Sequence, residues 1–135
     1  SQGRHAPTAL THKSCYRALN RYPNLQGLFR ELRVCLERNG ASCYITGKSF
    51  RFKKRRVFAV ILFRKKYIQL ELRVGKGAIS DPGFSYWQGG ESSWGYVHVY
   101  PAAPVPEKVI EWIDRAAAFV SQAATEVEED EESEA

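Results

Sequence analysis

The spacing of the apolar residues along this chain changes from a helical period to an alternating one. Six apolar residues recur at helical spacing in the first third of the chain: Leu25, Leu28, Phe29, Leu32, Cys35 and Leu36. Asn24 stands where an N-cap is expected, and Asn39-Gly40 supplies a stop signal. The pattern therefore predicts an amphipathic helix of about four turns that begins near Asn24.

From residue 43 onward the apolar residues recur with a period of two, which is typical of strands with one buried face. The strands predicted in this way are 43–46, 57–63, 67–74 and 94–100, with the basic run 48–56 after the first of them. A three-residue loop at 64–66 would pair Phe63 with Tyr67. That register places the even-numbered apolar residues of both strands on one buried face: Phe58, Val60, Leu62, Ile68, Leu70 and Leu72.

The second half of the chain predicts a long loop, a strand and a final helix. Residues 75–93 are rich in Gly and Ser, and in the strand that follows Val97 and Val99 fit the core side. Pro106 suits the first turn of a helix, whose packing face would be Val109, Ile113, Ala116, Ala117 and Val120. The predicted fold class is α+β with two layers: an antiparallel sheet of about four to five strands, with N- and C-terminal helices packed on one face.

Charge divides the chain into a basic body and an acidic end. Residues 1–77 hold 18 Lys and Arg against 3 Asp and Glu, whereas residues 78–135 hold 2 against 12. We predict a partly ordered N-terminal segment at 1–23, a single α+β domain at 24–123 and a disordered acidic tail at 124–135. The basic body favours an anionic partner, most often nucleic acid, and the tail is expected to weaken the binding of anions by occupying the basic surface.

No group of residues in the sequence predicts catalysis, a metal site or a cofactor. A single histidine among aromatic residues, such as His98, is more often a surface or packing residue than a general base. The three cysteines, at positions 15, 35 and 43, lack C-x-x-C spacing, so we expect reduced thiols without bound metal. The longest apolar run is far shorter than a membrane span and no signal peptide pattern is present, which favours a cytoplasmic protein.

Cations and aromatic residues form the candidate binding surface. The cations cluster at the two ends of the predicted strand 57–63: Arg51, Lys53, Lys54, Arg55, Arg56, Arg64, Lys65 and Lys66. The outer sheet face is predicted to carry Arg73 among aromatic residues: Tyr67, Trp94, Tyr96, His98 and Tyr100. Aromatic side chains can stack unpaired bases while neighbouring cations hold phosphates. In the alternative interpretation, the Gly-rich loop covers these aromatic residues, and its own Phe84, Tyr86 and Trp87 form a second small core.

Several motifs follow the order found in one known family: Tyr44-Ile45 and Lys48, Phe58-Ala59, Lys65-Lys66 followed by Ile68-x-Leu70-x-Leu72, Asp81-Pro82, Trp94-Gly95-Tyr96-Val97-x-Val99, and Val109-x-x-Trp112-Ile113-x-x-Ala116. Over residues 25–120 the chain resembles the uncharacterised family numbered 5655 among domains of unknown function, often labelled predicted transport proteins. That family places a histidine before the Trp-Gly pair, where this chain has Ser93. The resemblance implies a two-layer accessory domain, found alone or at the C-terminus of larger proteins such as restriction-type nucleases.

Taken together, these patterns predict a non-enzymatic accessory domain that binds nucleic acid through its basic strand ends and aromatic sheet face. The absence of Met, even at position 1, favours a domain excised from a larger protein. Two alternatives stay open: a protein-interaction module that uses the same face and, third, a small-ligand or catalytic domain. Salt separates the first two hypotheses, because binding to phosphates weakens steeply with salt and docking through apolar area does not.

Overall fold

A computed structural model of the chain describes residues 17, 19–46, 49–90, 92–101 and 104–122. They form a six-stranded antiparallel sheet with two long α-helices packed on one of its faces. The predicted fold class, two-layer α+β, is therefore confirmed, with one strand more than the largest number predicted. The predicted acidic tail at 124–135 and most of the predicted N-terminal segment at 1–23 lie outside the described residues.

The strands follow the chain across the sheet, except at one edge. The elements, in chain order, are α1 (Gln26–Glu37), β1 (Ser42–Thr46), β2 (Ser49–Lys53), β3 (Val57–Phe63), β4 (Ile68–Arg73), β5 (Ser85–Tyr86), β6 (Trp94–Val99) and α2 (Glu107–Ser121). The order in the sheet is β1-β2-β3-β4-β6-β5, and every pairing is antiparallel. Strand β2 falls within the basic run and β5 within the predicted long loop, so the sequence pattern predicted neither of them.

All six of the apolar residues that predicted helix α1 are buried, five of them in α1 and Leu25 in the turn before it. Its start differs from the prediction, because Pro23–Leu25 form a 3-10 turn and the helix begins at Gln26 without a side-chain cap. The predicted N-cap residue, Asn24, instead donates its Nδ2–H to the carbonyl oxygen of Lys65, 3.3 Å away. Gly40 has a φ of +90° and ends this segment as predicted, since glycine adopts that conformation without strain.

The pairing of β3 with β4 differs from the predicted register by one residue. Phe63 lies opposite Ile68, whereas the prediction placed it opposite Tyr67. The connecting turn has four residues, and it is closed by the Arg64 N–H, which donates to the Tyr67 carbonyl oxygen at 2.9 Å. The extra turn residue shifts the whole of β3 by one position relative to β4, and the predicted register is therefore wrong.

This shift exchanges the two faces of β3. The β3 residues opposite the apolar residues of β4 and within the core are Ala59, Ile61 and Phe63. Val60 and Leu62, predicted to face the helices, lie on the opposite face of the sheet. Phe58 does belong to the core, as predicted, beside a register shift between Phe52 and Lys53. Every residue of β3 is apolar, so alternation within this strand could not select its buried face.

The long loop after β4 joins the main core and does not form a second small one. Phe84 is buried, and its ring meets the Trp112 ring of α2 edge to face with centroids 5.3 Å apart. The Tyr86 hydroxyl accepts a hydrogen bond from the Ile79 N–H and donates one to the Gly75 carbonyl oxygen, both at 2.9 Å. These contacts fold the loop against the helix-covered side of the sheet.

Candidate nucleic-acid interface

The sheet face opposite α1 and α2, here called the outer face, carries the aromatic residues that the sequence predicted there. Along the pairing of β4 with β6, His98 lies opposite Gln69, Tyr96 opposite Glu71 and Trp94 opposite Arg73. Since side chains alternate between the two faces of a strand, Val97 and Val99 point the other way, into the core. The predicted assignment of faces in β4 and β6 is thus confirmed.

Five rings form a continuous series of contacts on the outer face, and we call this series the aromatic row: Tyr100, Tyr67, His98, Tyr96 and Trp87. Its central pair, Tyr67 and His98, is stacked with ring centroids 4.2 Å apart. The centroids of Tyr67 and Tyr100 are 5.3 Å apart, and those of Tyr96 and His98 are 5.5 Å apart. Trp87 extends the row through Tyr96 at 4.6 Å.

The aromatic row is open to solvent along its length. Tyr100 is 55% exposed and Trp87 is 37% exposed, at the two ends of the row, and His98 between them is also exposed. Tyr67 and Tyr96 are half-buried, as is Trp94 outside the row. The expectation that these residues are at least partly accessible is confirmed.

Trp87 belongs to the row although it was not among the predicted site residues, and the alternative interpretation placed it in a small loop core. The two-residue strand β5 pairs Ser85 with Tyr96 and Tyr86 with Gly95, so Ser85 points to the outer face and Tyr86 to the core. Continuing the alternation places Trp87 on the outer face, against Tyr96. The alternating pattern from Phe84 to Trp87 was therefore the signal that could have found it.

The prediction that Arg73 is a surface cation among the aromatic residues is wrong. Its side chain is fully buried, with 0% exposure, and its guanidinium carbon lies 5.2 Å from the centre of the Trp94 ring. A cation over the face of an indole ring is stabilised by the ring's negative π-surface. Arg73 thus lies buried beside the half-buried Trp94 ring, and it offers no accessible group to a phosphate.

The predicted cations fall into two basic turns at opposite ends of β3. The first basic turn contains Lys53, Lys54, Arg55 and Arg56, and the second contains Arg64, Lys65 and Lys66. At about 3.3 Å per residue, β3 separates Arg56 from Arg64 by roughly 25 Å. The second basic turn leads directly into Tyr67 and so borders the aromatic row. The first borders the opposite end of the sheet, where Arg73 and Trp94 lie.

A single carboxylate lies within the strands, and it is in the middle of the outer face. Glu71 is half-buried opposite Val60 and Tyr96, and its Oε2 accepts a hydrogen bond from Gln69 Nε2 at 2.9 Å. Burial raises the pKa of Glu71, while the Gln69 hydrogen bond and then the nearby positive charge of Arg51 act in the lowering direction. Arg51, the remaining predicted site cation, is half-buried on the same face in β2.

Comparison with known proteins assigns neither a family nor a function to this chain. No protein-family model matches the chain, and searches of curated proteins and of solved structures found no match. The resemblance to the family of predicted transport proteins accordingly stays a prediction based on the motifs quoted above. Cytoplasmic localisation stays a prediction in the same way.

Neither a metal-binding cluster nor a membrane-spanning helix is found among the described residues. Among them, no group of three or more His, Cys, Asp or Glu side chains is placed to hold a metal ion. None of the helices in that part of the chain has the length and apolar character needed to cross a bilayer. Cys35 and Cys43 are buried, and neither forms a disulfide bond within the described residues.

Proposed function

We propose that the outer face binds single-stranded nucleic acid, with unpaired bases stacked on the aromatic row and phosphates held by the second basic turn. This proposal rests on one observation: the second basic turn leads directly into the aromatic row. The three cations Arg64, Lys65 and Lys66 are followed in the chain by Tyr67, whose ring contacts both His98 and Tyr100. A nucleotide bound there can present its base and its phosphate to the protein at the same time.

The chemistry of the aromatic row suits unpaired bases of any sequence. Stacking of a base on an aromatic side chain contributes about 1–3 kcal/mol and tolerates every base, because each base has a π-face. A duplex hides those faces within its own stack, so it offers the aromatic row little to bind. We therefore expect a preference for single strands with little dependence on sequence.

The local charge also favours an anionic ligand. Lys65 and Lys66 are exposed, and the Asn24 side chain holds the Lys65 carbonyl oxygen so that the turn is fixed relative to α1. Glu71 is the one acidic residue of the six strands, and it is half-buried and hydrogen-bonded to Gln69. The net field at this end of the outer face is therefore positive, which attracts phosphates and accelerates their encounter.

Salt-titrated binding to fluorescent oligonucleotides tests the proposal. If three to four phosphates of a single strand are neutralised, log K should fall against log salt with a slope of about −2 to −3. A matched duplex should bind more weakly at every salt concentration. Absence of binding at about 50 mM salt would reject the proposal. Affinity that is insensitive to salt would instead point to an apolar docking surface for another protein.

Two triple charge reversals give a matched comparison. The variants Arg64→Glu/Lys65→Glu/Lys66→Glu and Lys54→Glu/Arg55→Glu/Arg56→Glu change the net charge of the chain by the same amount. General electrostatic attraction is thus weakened equally in both. If the aromatic row is the site, the reversal in the second basic turn should weaken binding much more than the reversal in the first. Equal losses in the two variants would mean that binding is diffuse and not centred on the row.

A further inference from the structure

A second candidate surface lies at the end of the sheet away from the second basic turn. The first basic turn brings four consecutive cations together, and the Lys54 N–H closes it by donating to the Arg56 carbonyl oxygen at 3.0 Å. Lys53, Lys54 and Arg55 are exposed, and Arg56 is half-buried. This turn lies roughly 25 Å along β3 from the second basic turn, where the proposed nucleic-acid site holds phosphates.

Helix α2 ends beside the same end of the sheet. The ring of Phe119, near the end of α2, packs against Gly75, so closely that a Cβ on this glycine would be 3.0 Å from it. Gly75 follows β4, and the end of β4 lies beside the start of β3, which the first basic turn precedes. The chain therefore leaves α2 at Ser121 on the side of the molecule that carries the first basic turn.

The segment that follows α2 is complementary in charge to this turn. Residues 124–135 contain seven carboxylates, all between Glu126 and Glu134, and no cation. At no more than about 3.6 Å per residue, Glu126 can lie up to roughly 18 Å from Ser121. A short tether gives these carboxylates a high effective concentration near the first basic turn, and a lower one near the second basic turn, which lies farther away.

We propose that the acidic segment Glu126–Glu134 binds the first basic turn within the same molecule. The contacts are between carboxylates and the side chains of Lys53, Lys54, Arg55 and Arg56. They are exposed ion pairs, so they form and break rapidly and weaken as salt shortens the Debye length, which is about 10 Å at 0.1 M. This binding of the acidic segment does not depend on the proposed function. Its consequence for nucleic acid, which is repulsion of phosphates from the outer face at low salt, rests on that function.

The test compares backbone amide chemical shifts of the whole chain with those of a variant in which all seven tail carboxylates are replaced by Gln or Asn. At low salt, the amides of Lys53 to Val57 should shift between the two proteins, and those of Arg64 to Tyr67 should not. The differences should disappear at high salt. Unchanged amides at 53–57, or shifts of equal size in both basic turns, would overturn the proposal. No nucleic acid is present, so this result is independent of the proposed function.

The triple reversals identify the docking surface in a second way. In Lys54→Glu/Arg55→Glu/Arg56→Glu, neutralising the tail should leave the amide shifts of the first turn unchanged, because docking is already lost. In Arg64→Glu/Lys65→Glu/Lys66→Glu, neutralising the tail should still move them, and the absence of that response would overturn the proposal. If the proposed function also holds, neutralising the tail should tighten oligonucleotide binding several-fold at low salt. It should change binding little at high salt.

Discussion

The ring of Tyr67 stacks on the imidazole of His98 with centroids 4.2 Å apart and an angle of 28° between the planes. Tyr67 precedes β4 and lies directly after the second basic turn, whereas His98 is in β6. The contact therefore joins the basic turn to a row of rings that crosses the strands. It also fixes the Tyr67 ring in one orientation before any ligand arrives, which lowers the entropy lost when a base stacks beside it.

The first prediction concerns the rings at the basic end of the row. Tyr67→Ala and Tyr100→Ala should each weaken single-strand binding by about 1–3 kcal/mol, because each removes a stacking surface without removing a cation. The slope of log K against log salt should not change, since the phosphate contacts remain. Titration of a fluorescent single strand at several salt concentrations measures both quantities.

Tyr44→Ala is the matched control for these two variants. Tyr44, like Tyr100, is an exposed tyrosine, but it lies in β1, at the opposite edge of the sheet and outside the aromatic row. Its loss should change affinity much less than the loss of Tyr67 or Tyr100. If all three variants bind as tightly as the parent protein, stacking on the row is not the basis of binding.

The second prediction concerns the organisation of the long loop by one hydroxyl group. Tyr86→Phe should lower the free energy of unfolding by about 1–3 kcal/mol, because it leaves the Ile79 N–H and the Gly75 carbonyl oxygen without the hydroxyl that pairs them. Hydrogen exchange of the Ile79 amide should accelerate in particular. Tyr100→Phe, at an exposed position, should change stability little and serves as the control. Unaltered exchange at Ile79 would show that this hydrogen bond does not hold the loop.

The third prediction concerns Gly95, which lies in β6 beneath the ring of Phe84. A Cβ at this position would overlap that ring and would lie 2.6 Å from the backbone oxygen of Ser85. Since Ser85 is paired with β6 through its backbone, it cannot move aside cheaply. Gly95→Ala should therefore destabilise the protein by about 1–3 kcal/mol, as overpacking of a core does, with the loss measured by denaturant unfolding.

Gly27→Ala should have the opposite effect on the stability of the protein. Gly27 is an exposed residue of α1, and nothing lies within 4 Å of where its Cβ would be. Alanine at this position should stabilise the helix by about 0.5–1 kcal/mol, because it restricts the unfolded chain without any clash. The two substitutions should change the free energy of unfolding in opposite directions. A stabilising Gly95→Ala would mean that Phe84 does not pack as described.

The parts of the fold that were predictable from sequence are those in which one face is polar. Helix α1 and strand β4 have that property, and their buried apolar residues were identified correctly. Strand β3 does not, because all seven of its residues are apolar, and a register that assumed a three-residue turn was wrong by one position. The missing constraint was the length of the turn, which depends on a hydrogen bond from Arg64 to Tyr67 that local sequence does not specify.

The candidate site was likewise predictable only in part. Positions on the outer face of β4 and β6 followed from alternation, so Tyr67, Tyr96 and His98 were placed correctly. Alternation gives the face of a residue but not its depth, and for that reason the burial of Arg73 was missed. One of its neighbours is Trp94, which is 21 positions away in the chain and is brought beside Arg73 by the pairing of β4 with β6.

The last prediction concerns Glu71 and the dependence of stability on pH. Burial raises the pKa of Glu71 above its ordinary value, so the folded protein binds the proton at this carboxyl more tightly than the unfolded chain does. Its contribution to stability is fully present below the pKa of the unfolded chain, and it is lost as pH rises through the folded pKa. Glu71→Gln should remove this loss, since an amide does not titrate. The variant should therefore gain stability over the parent protein as pH rises from about 4 to about 7.

Urea denaturation of both proteins across this pH range measures the effect as the difference between their free energies of unfolding. Glu111→Gln, at an exposed position of α2, controls for the general effect of removing one negative charge from the protein. A difference for Glu71→Gln that is flat with pH, or that favours the parent protein at neutral pH, would contradict the prediction. It would mean that the Gln69 hydrogen bond and the charge of Arg51 stabilise the ionised carboxylate more than burial disfavours it.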